Sequence, residues 1–201
     1  MRVAAISDIH GNLPALEAVL AEIDREAVSE IVVVGDTAHG PWPAEVVDLL
    51  VERGARCVRG NADREVIERS DRYGPLAPWS ADRLGERRLA IVRGWPLAVE
   101  LSIDGLGGVL VCHSTPTSDD PVYTRITPDE DLVGIFEDVA ADLVVCGHTH
   151  MPANSTTFRS CASPHRPRTC GVRSAFVRLP ARSDRVATWV CNAPYDSWRT
   201  R

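Results

Sequence analysis

The run Ile31-Val32-Val33-Val34 constrains the fold of this chain more than any other stretch. All of its residues are apolar and β-branched, which is typical of a strand that is covered on both faces. Apolar residues recur at helical spacing on either side of it, over residues 13–28 and 43–53. Short apolar strands that alternate with amphipathic helices predict an α/β fold whose central sheet is parallel and has right-handed crossovers.

Five other apolar runs predict further strands. Asp104-Gly105 separates two of them and is a turn signal, so these two strands are expected to form a hairpin. Thr127-Pro128-Asp129-Glu130 has the spacing of a capping box and predicts a helix that runs to about residue 140. A short helix is also expected over residues 80–88. The five runs cover residues 3–6, 55–58, 97–103, 108–112 and 142–146.

Composition limits the classes of function. The 201 residues suffice for one domain with a substantial core. The chain has no stretch near the ~18 apolar residues of a membrane span and no signal-peptide pattern, so we expect a cytoplasmic protein without a membrane partner. The net charge of -6 argues against nucleic acid as the main partner. Cys57, Cys112 and Cys146 lie in apolar runs and are predicted to be small core residues in a reducing compartment, not a disulfide framework.

Polar residues of metal-binding types follow the predicted strands. Each alone is more often a structural histidine or a turn residue, but their joint occurrence at strand ends favours a metal site, because these ends meet at one edge of a sheet. Carboxylates, imidazoles and an amide oxygen suit Mn, Fe or Zn. They are too many for one tetrahedral ion and fit two ions, about 3.5–4 Å apart, that share a carboxylate. The residues are Asp8, His10, Asp36, Asn61, His113, His148 and His150.

These residues lie in motifs that resemble those of the calcineurin-like metallophosphoesterases, and most closely the small bacterial phosphodiesterase/phosphatase branch. The resemblance extends over residues 3–152 and implies a four-layer α/β/β/α sandwich of two packed sheets. The matching motifs are Asp8-Ile9-His10, Gly35-Asp36, Gly60-Asn61-Ala62-Asp63, His113 and Gly147-His148-Thr149-His150.

The resemblance also implies a mechanism and a ligand assignment. A water activated by two divalent ions would hydrolyse a phosphodiester or phosphomonoester, with manganese preferred and Fe, Zn, Co or Ni as alternatives. The substrate would be a small phosphorylated molecule, with nucleotide-like molecules among the candidates. Asp36 would bridge the ions, and Asp36 and Asn61 would act directly in catalysis. By resemblance, Asp8, His10, Asp36 and His150 hold one ion, and Asp36, Asn61, His113 and His148 hold the other.

Ala62 departs from the family pattern, which often has a histidine at this position that is thought to protonate the leaving group. Loss of a general acid typically costs 10²–10⁴-fold in rate, which favours a phosphodiester, a good leaving group or a substitute acid. His39 is a candidate for that acid, with a solvated loop histidine as the alternative. Asn12 and Arg64 are candidate substrate-binding residues, and a surface ion pair is the alternative role for Arg64.

The last quarter of the chain differs from the rest. Residues 1–150 carry 13 arginines against 26 acidic residues, whereas residues 151–201 carry 9 arginines against 2 aspartates. We divide the chain into a metallophosphoesterase core, 1–152, and a divergent segment, 153–201, expected to be partly disordered with a β-hairpin at 172–191. The segment lacks the Asn-x-Gly-Ser-type stretch that is usual in the family. A divergent insertion and translation in another reading frame both stay open as explanations.

A second class of function also stays open. A chain with this fold can serve as a non-catalytic scaffold that binds a protein partner, and the altered segment after residue 152 favours that interpretation. The complete set of seven ligand-type residues favours the enzyme instead, because a scaffold has no need of it. Turnover with added metal discriminates between the two.

Overall fold

A computed structural model describes residues 2–124 and 126–150, together with the backbone of three strands further along the chain. The helices and strands are β1 (Val3–Ser7), α1 (Leu13–Ile23), β2 (Glu30–Val33), α2 (Pro43–Glu52), β3 (Arg56–Cys57), α3 (Asn61–Glu68), α4 (Leu76–Arg93), β4 (Ala98–Ile103), β5 (Gly107–Cys112), α5 (Asp129–Phe136), β6 (Leu143–Cys146), β7 (Asn154–Arg159), β8 (Thr169–Ser174) and β9 (Val186–Val190).

The strands form two sheets. The first has the order β3-β2-β1-β9 and is parallel throughout, with Ala5 opposite Val32. The second has the order β4-β5-β6-β8-β7. Its β4 and β5 form the predicted antiparallel hairpin, whereas β5, β6 and β8 run parallel to one another. The parallel α/β pattern predicted from the sequence is therefore confirmed for the first sheet.

The two sheets pack face to face, and helices cover both outer faces. One buried cluster joins alternate residues of the first sheet, such as Val3 and Ala5, to residues of the second sheet, such as Val109 and Val145. The intervening residues of the first sheet face α1 and α2. On the far side, the outer face of β5 and β6 packs against α5 through a cluster that includes Phe136. The predicted four-layer α/β/β/α sandwich is thus confirmed.

Local sequence accounts for several helix boundaries. The side chain of Asn12 caps α1 by accepting a hydrogen bond from the Ala15 N–H at 3.2 Å. The helix expected over residues 80–88 is longer than predicted and kinks at Gly85, whose φ of 66° and ψ of 165° are not helical. None of the helices in the described ranges is both long and apolar enough to cross a bilayer.

Two predictions of local structure are wrong. Pro128 is the N-cap of α5 without a side-chain hydrogen bond, and the Thr127 hydroxyl instead accepts the Thr124 N–H at 2.8 Å. A Ser or Thr hydroxyl serves a turn as readily as a helix end, so the capping-box spacing was misleading.

The hairpin predicted at 172–191 is not formed, because β8 pairs with β6 and β7 whereas β9 extends the other sheet beside β1. Alternating apolar residues predict that a strand exists, but the backbone hydrogen bonds that select its partner carry no sequence signal. Apart from these strands, the part of residues 153–201 predicted to be disordered lies outside the described residues.

Candidate metal centre

The carboxyl ends of β1, β2, β3, β5 and β6 bring all seven predicted ligands to one edge of the sandwich. The ligand atoms form two groups, and within each group they lie within 4.8 Å of one another. We call the group of Asp8, His10, Asp36 and His150 the open half-site. We call the group of Asp36, His113 and His148, together with the adjacent Asn61, the buried half-site. Asp36 belongs to both, as a bridging carboxylate would.

The open half-site is built across the ends of β1, β2 and β6. His10 Nε2 lies 3.4 Å from Asp36 Oδ2, and His150 Nε2 lies 3.3 Å from Asp8 Oδ1. A hydrogen bond with Asp8 raises the pKa of His150, whereas burial lowers the pKa of His10. The side chains of His10 and His150 keep 21% and 34% of their surface exposed, so this half-site is reachable from solvent.

The buried half-site fixes its ligands more tightly. The Nδ1–H of His113 donates to the Val34 carbonyl oxygen at 2.7 Å, which turns Nε2 towards the site as the nitrogen that would bind an ion. That Nε2 lies 3.0 Å from Asn61 Oδ1 and 3.3 Å from Asp36 Oδ1. The His148 ring packs against the His113 ring, with centroids 5.0 Å apart. Four different elements therefore bring ligand atoms to one point.

A buried nitrogen without a partner supports a cation in this half-site. His148 Nε2 is inaccessible to solvent and has no hydrogen-bond partner among the described residues. Leaving a buried polar atom unpaired typically costs about 1–3 kcal/mol, so such atoms require an explanation. A metal ion held by His148, His113, Asn61 and Asp36 would supply the missing interaction, and the donor set of imidazole, amide and carboxylate fits a divalent ion.

The backbone is strained at the ligands. Among the described residues, seven that are not glycine have a positive φ, and five of these are predicted ligands. This conformation costs of order 1–3 kcal/mol for such residues and concentrates at functional sites. The five are Asp8 (φ 56°), His10 (47°), Asp36 (53°), His148 (75°) and His150 (51°).

Asp63 clamps the loops that carry Asp36 and Asn61. Its Oδ1 accepts the N–H groups of Thr37 and Ala38 at 2.9 and 2.8 Å, and its Oδ2 accepts the Gly60 N–H at 3.0 Å. The loops also touch directly, because a β-carbon at Gly60 would overlap the Asp36 carboxylate and backbone nitrogen. Our sequence reasoning assigned no role to Asp63, although its position in the first turn of α3, three residues after Gly60, is a capping signal.

For Asp36 and His113, burial and the neighbouring charges shift the pKa in opposite directions. Burial would raise the pKa of Asp36, but His113 and His10 hold that pKa well below its ordinary value. Burial lowers the pKa of His113, and the carboxylate of Asp36 outweighs this and raises it to about 9. Burial and the charge of Asp36 raise the pKa of Asp63 to about 6. A cation bound beside Asp36 would replace the proton that His113 otherwise holds.

Of the remaining predicted site residues, one lies beside the open half-site and two make structural contacts. His39 is half-buried beside the open half-site, and its ring centroid lies 6.2 Å from that of His10. Arg64 instead donates to Asp119 at 3.0 Å and to Asp120 at 3.0 Å, which is the ion pair that we gave as its alternative role. The oxygen of Asn12 is used to cap α1. The contacts described for Arg64 and Asn12 are therefore structural.

Comparison with known proteins agrees with this geometry. The model of the calcineurin-like phosphoesterase family matches residues 1–152. An uncharacterized protein of Methanocaldococcus jannaschii is 31% identical over 75% of this chain and 63% of its own length. The Escherichia coli phosphodiesterase YfcE is 35% identical over 47% of this chain and 57% of its own length. The chain thus spans less than two thirds of the length of these relatives.

A solved structure extends the likeness to the fold. The crystal structure of a metallophosphoesterase from Sphaerobacter thermophilus is 28% identical and has a TM-score of 0.65, over 87% of this chain and 76% of that chain. The family match over residues 1–152 agrees with this likeness of fold. The chain belongs to the calcineurin-like phosphoesterase family.

Proposed function

We propose that this chain hydrolyses a phosphodiester or phosphomonoester with the help of two divalent ions. The observation that supports this most strongly is that two groups of ligand atoms share Asp36 at the edge where five strands end. When bound, two such ions neutralise the charge on phosphate oxygens and make hydroxide available from water near neutral pH. Asp8, His10, Asp36 and His150 would hold one ion, and Asp36, Asn61, His113 and His148 the other.

The donor types favour manganese. Each half-site combines imidazole nitrogens with hard oxygen donors and has no thiolate among its described ligands. Such mixed sets suit Mn, with Fe, Zn, Co and Ni as alternatives that geometry alone does not separate. The free thiols Cys57, Cys112 and Cys146 are buried elsewhere and supply no ligand.

The chain's own residues position the reacting groups. The Ala62 N–H donates to Asp36 Oδ1 at 2.9 Å and holds the shared carboxylate in place. Position 62 carries only a methyl group, so no side chain there donates a proton to the leaving oxygen. His39, beside His10 and partly open to solvent, is the residue that we propose for this proton transfer.

The lack of an acid at position 62 also bears on the substrate. A leaving oxygen with a low pKa needs little protonation, and a diester carries one negative charge fewer than a monoester. We therefore favour a small phosphodiester or nucleotide-like molecule over an alkyl monoester.

A cytoplasmic location stays a prediction.

Metal titration of the full chain tests the proposal. Protein stripped with a chelator should bind two manganese ions per chain and then hydrolyse bis(p-nitrophenyl) phosphate faster than p-nitrophenyl phosphate. Folded protein that shows no turnover with Mn, Co, Ni or Zn would contradict the enzyme. Binding of two ions without turnover would instead favour the non-catalytic scaffold.

The role of His39 has its own test. His39→Asn should lower the hydrolysis of an alkyl phosphoester by about 10²-fold, the lower end of the range for a lost general acid. The same variant should leave the rate with p-nitrophenyl esters nearly unchanged, because p-nitrophenolate leaves without a proton. An equal effect on both ester types would show that His39 does not act as the acid.

A further inference from the structure

Two buried thiols lie in contact behind the metal centre. Cys112 is the last residue of β5 and Cys146 the last residue of β6, and these parallel strands are in register with Val111 opposite Val145. Cys112 Sγ lies 3.6 Å from Cys146 Sγ, and both side chains are fully buried. Cys57, the third thiol among the described residues, lies in the other sheet.

Each of the two cysteines lies within two residues, along the chain, of a histidine of the buried half-site. His113 follows Cys112, and His148 follows Cys146 with only Gly147 between. The Gly147 N–H donates to the His113 carbonyl oxygen at 2.9 Å, which ties the two strand ends together just beyond the thiols. Any movement of these strand ends therefore moves the two imidazoles relative to Asp36.

We propose that Cys112 and Cys146 are a reversible disulfide site, and that closing the disulfide displaces His113 and His148. The oxidant is a small peroxide. One thiol reacts with peroxide to give a sulfenic acid and water, and the second thiol then displaces that hydroxyl, forming the S–S bond and a second water. A dithiol returns both cysteines to thiols by exchange. The effect on metal binding rests on the proposed function, whereas the disulfide itself does not.

The backbone geometry permits the bond with limited movement. Neighbouring strands lie about 4.8 Å apart, within the usual Cα separation of about 4.4–6.8 Å for disulfide-bonded cysteines. The sulfur atoms would have to approach from 3.6 Å to about 2.05 Å. Because both side chains are fully buried, part of this approach falls on the strand ends.

Peroxide is expected to reach the thiols when α5, which covers them, opens locally. The cluster that contains the two cysteines is covered by α5, where Phe136 packs edge to face on Tyr123 with ring centroids 5.7 Å apart. The helix has only eight residues and contains Gly134, which weakens it by about 1 kcal/mol relative to alanine. Local opening of α5 exposes the thiols without unfolding the sheets.

Peptide mapping of the full chain tests the disulfide directly. The sequence contains no lysine, so trypsin cleaves only after arginine and places each of the six cysteines in a different peptide. After treatment with hydrogen peroxide and alkylation of the remaining thiols, peptide 94–125 should be found joined to peptide 126–159. Dithiothreitol should separate them. Peroxide-treated protein without this linked pair would overturn the proposal.

The consequence for the site is measured in two ways. In metal-free protein, the imidazole NMR signals of His113 and His148 should shift on oxidation, whereas that of His39 should not. With manganese, the oxidised protein should bind one of its two ions about 10- to 100-fold more weakly, as is typical when the support of a metal ligand is disturbed. A linked pair that changes neither measurement would mean that the disulfide does not act on the half-site.

Matched variants separate the possible failures. Cys112→Ser and, independently, Cys146→Ala should be insensitive to peroxide, and Cys57→Ser should respond as the unmodified chain does. If oxidation shifts the imidazole signals but the reduced protein binds no metal, the proposed function is wrong and the disulfide site stands. If the protein binds two ions and hydrolyses esters equally well before and after peroxide treatment, the proposed function stands and the action of the disulfide on the half-site is wrong.

Discussion

The two half-sites share Asp36 but are built differently. The side chain of His113 in the buried half-site is fully inaccessible, whereas that of His150 in the open half-site is 34% exposed. The first is held by the Val34 carbonyl and by Asn61, which belong to the strand ends of the first sheet. The second contacts Asp8 and the His10 ring, whose centroid lies 5.3 Å from that of His150. The comparison indicates that His113 is also part of the core, while His10 and His150 are reachable from solvent.

The shared carboxylate should show the largest effect. Asp36→Asn keeps the size of the side chain but removes the charge that both half-sites use, so manganese binding at both should be lost and turnover should fall to background. Metal content and hydrolysis rate measure this, and circular dichroism reports folding. The matched control is Asp48→Asn, because Asp48 is a surface acid that pairs with Arg88. If Asp36→Asn still bound two ions, Asp36 would not be the bridge.

Removal of one imidazole from each half-site tests the difference between them. In metal-free protein, His113→Ala should lower the free energy of unfolding by about 1–3 kcal/mol, because the buried Val34 carbonyl loses its donor. His150→Ala should change it by only about 0.5 kcal/mol, as expected for a partly exposed side chain. Urea unfolding in the presence of a chelator measures both values. Equal losses would mean that the two half-sites do not differ in their role in the fold.

The pKa of His113 predicts opposite pH dependences with and without metal. Because Asp36 raises that pKa to about 9 from its ordinary value of 6.5, the folded metal-free protein holds this proton more tightly than the unfolded chain. The resulting stability is fully present below pH 6.5 and is lost as the pH rises to about 9, by on the order of 3 kcal/mol. Manganese affinity should rise over the same range, because the ligand nitrogen must be deprotonated.

His113→Gln is the control for both pH dependences, that of stability and that of manganese affinity. It should remove most of the loss of stability between pH 6.5 and 9 in the chelator-treated protein. A metal-free protein whose unfolding free energy stays constant over this range would contradict the protonated His113.

The smallest effect is expected outside both half-sites. Arg64→Gln breaks the pair with Asp119 and should lower the unfolding free energy by no more than about 1 kcal/mol, while KM changes less than twofold. Arg88→Gln, which breaks the surface pair with Asp48, is the matched control. A KM that rises tenfold in Arg64→Gln alone would restore Arg64 as a substrate-binding residue.

Local signals in the sequence predicted the parallel α/β sheet and the positions of the candidate ligands, whereas the second sheet of the sandwich was implied only by the family resemblance. A β-branched run such as residues 31–34 can hardly be anything but a buried strand, and a polar residue at its end is visible beside it. The contacts that hold the candidate ligands in their orientations could not be predicted from the sequence. The carbonyl of Val34 that orients His113 is a backbone atom without a sequence signal. The contact between Cys112 and Cys146 depends on strand register, which is set by packing across the whole sheet.

The left-handed backbone at five ligands has a consequence for directed evolution of this protein. A screen that rewards resistance to heat alone, with a chelator present, should collect glycine or asparagine at positions 8, 10, 36, 148 and 150, since these residues tolerate that backbone best. Such clones would melt at higher temperature and bind less metal. Selection for stability would thus remove metal-binding residues at the positions where the backbone is most strained.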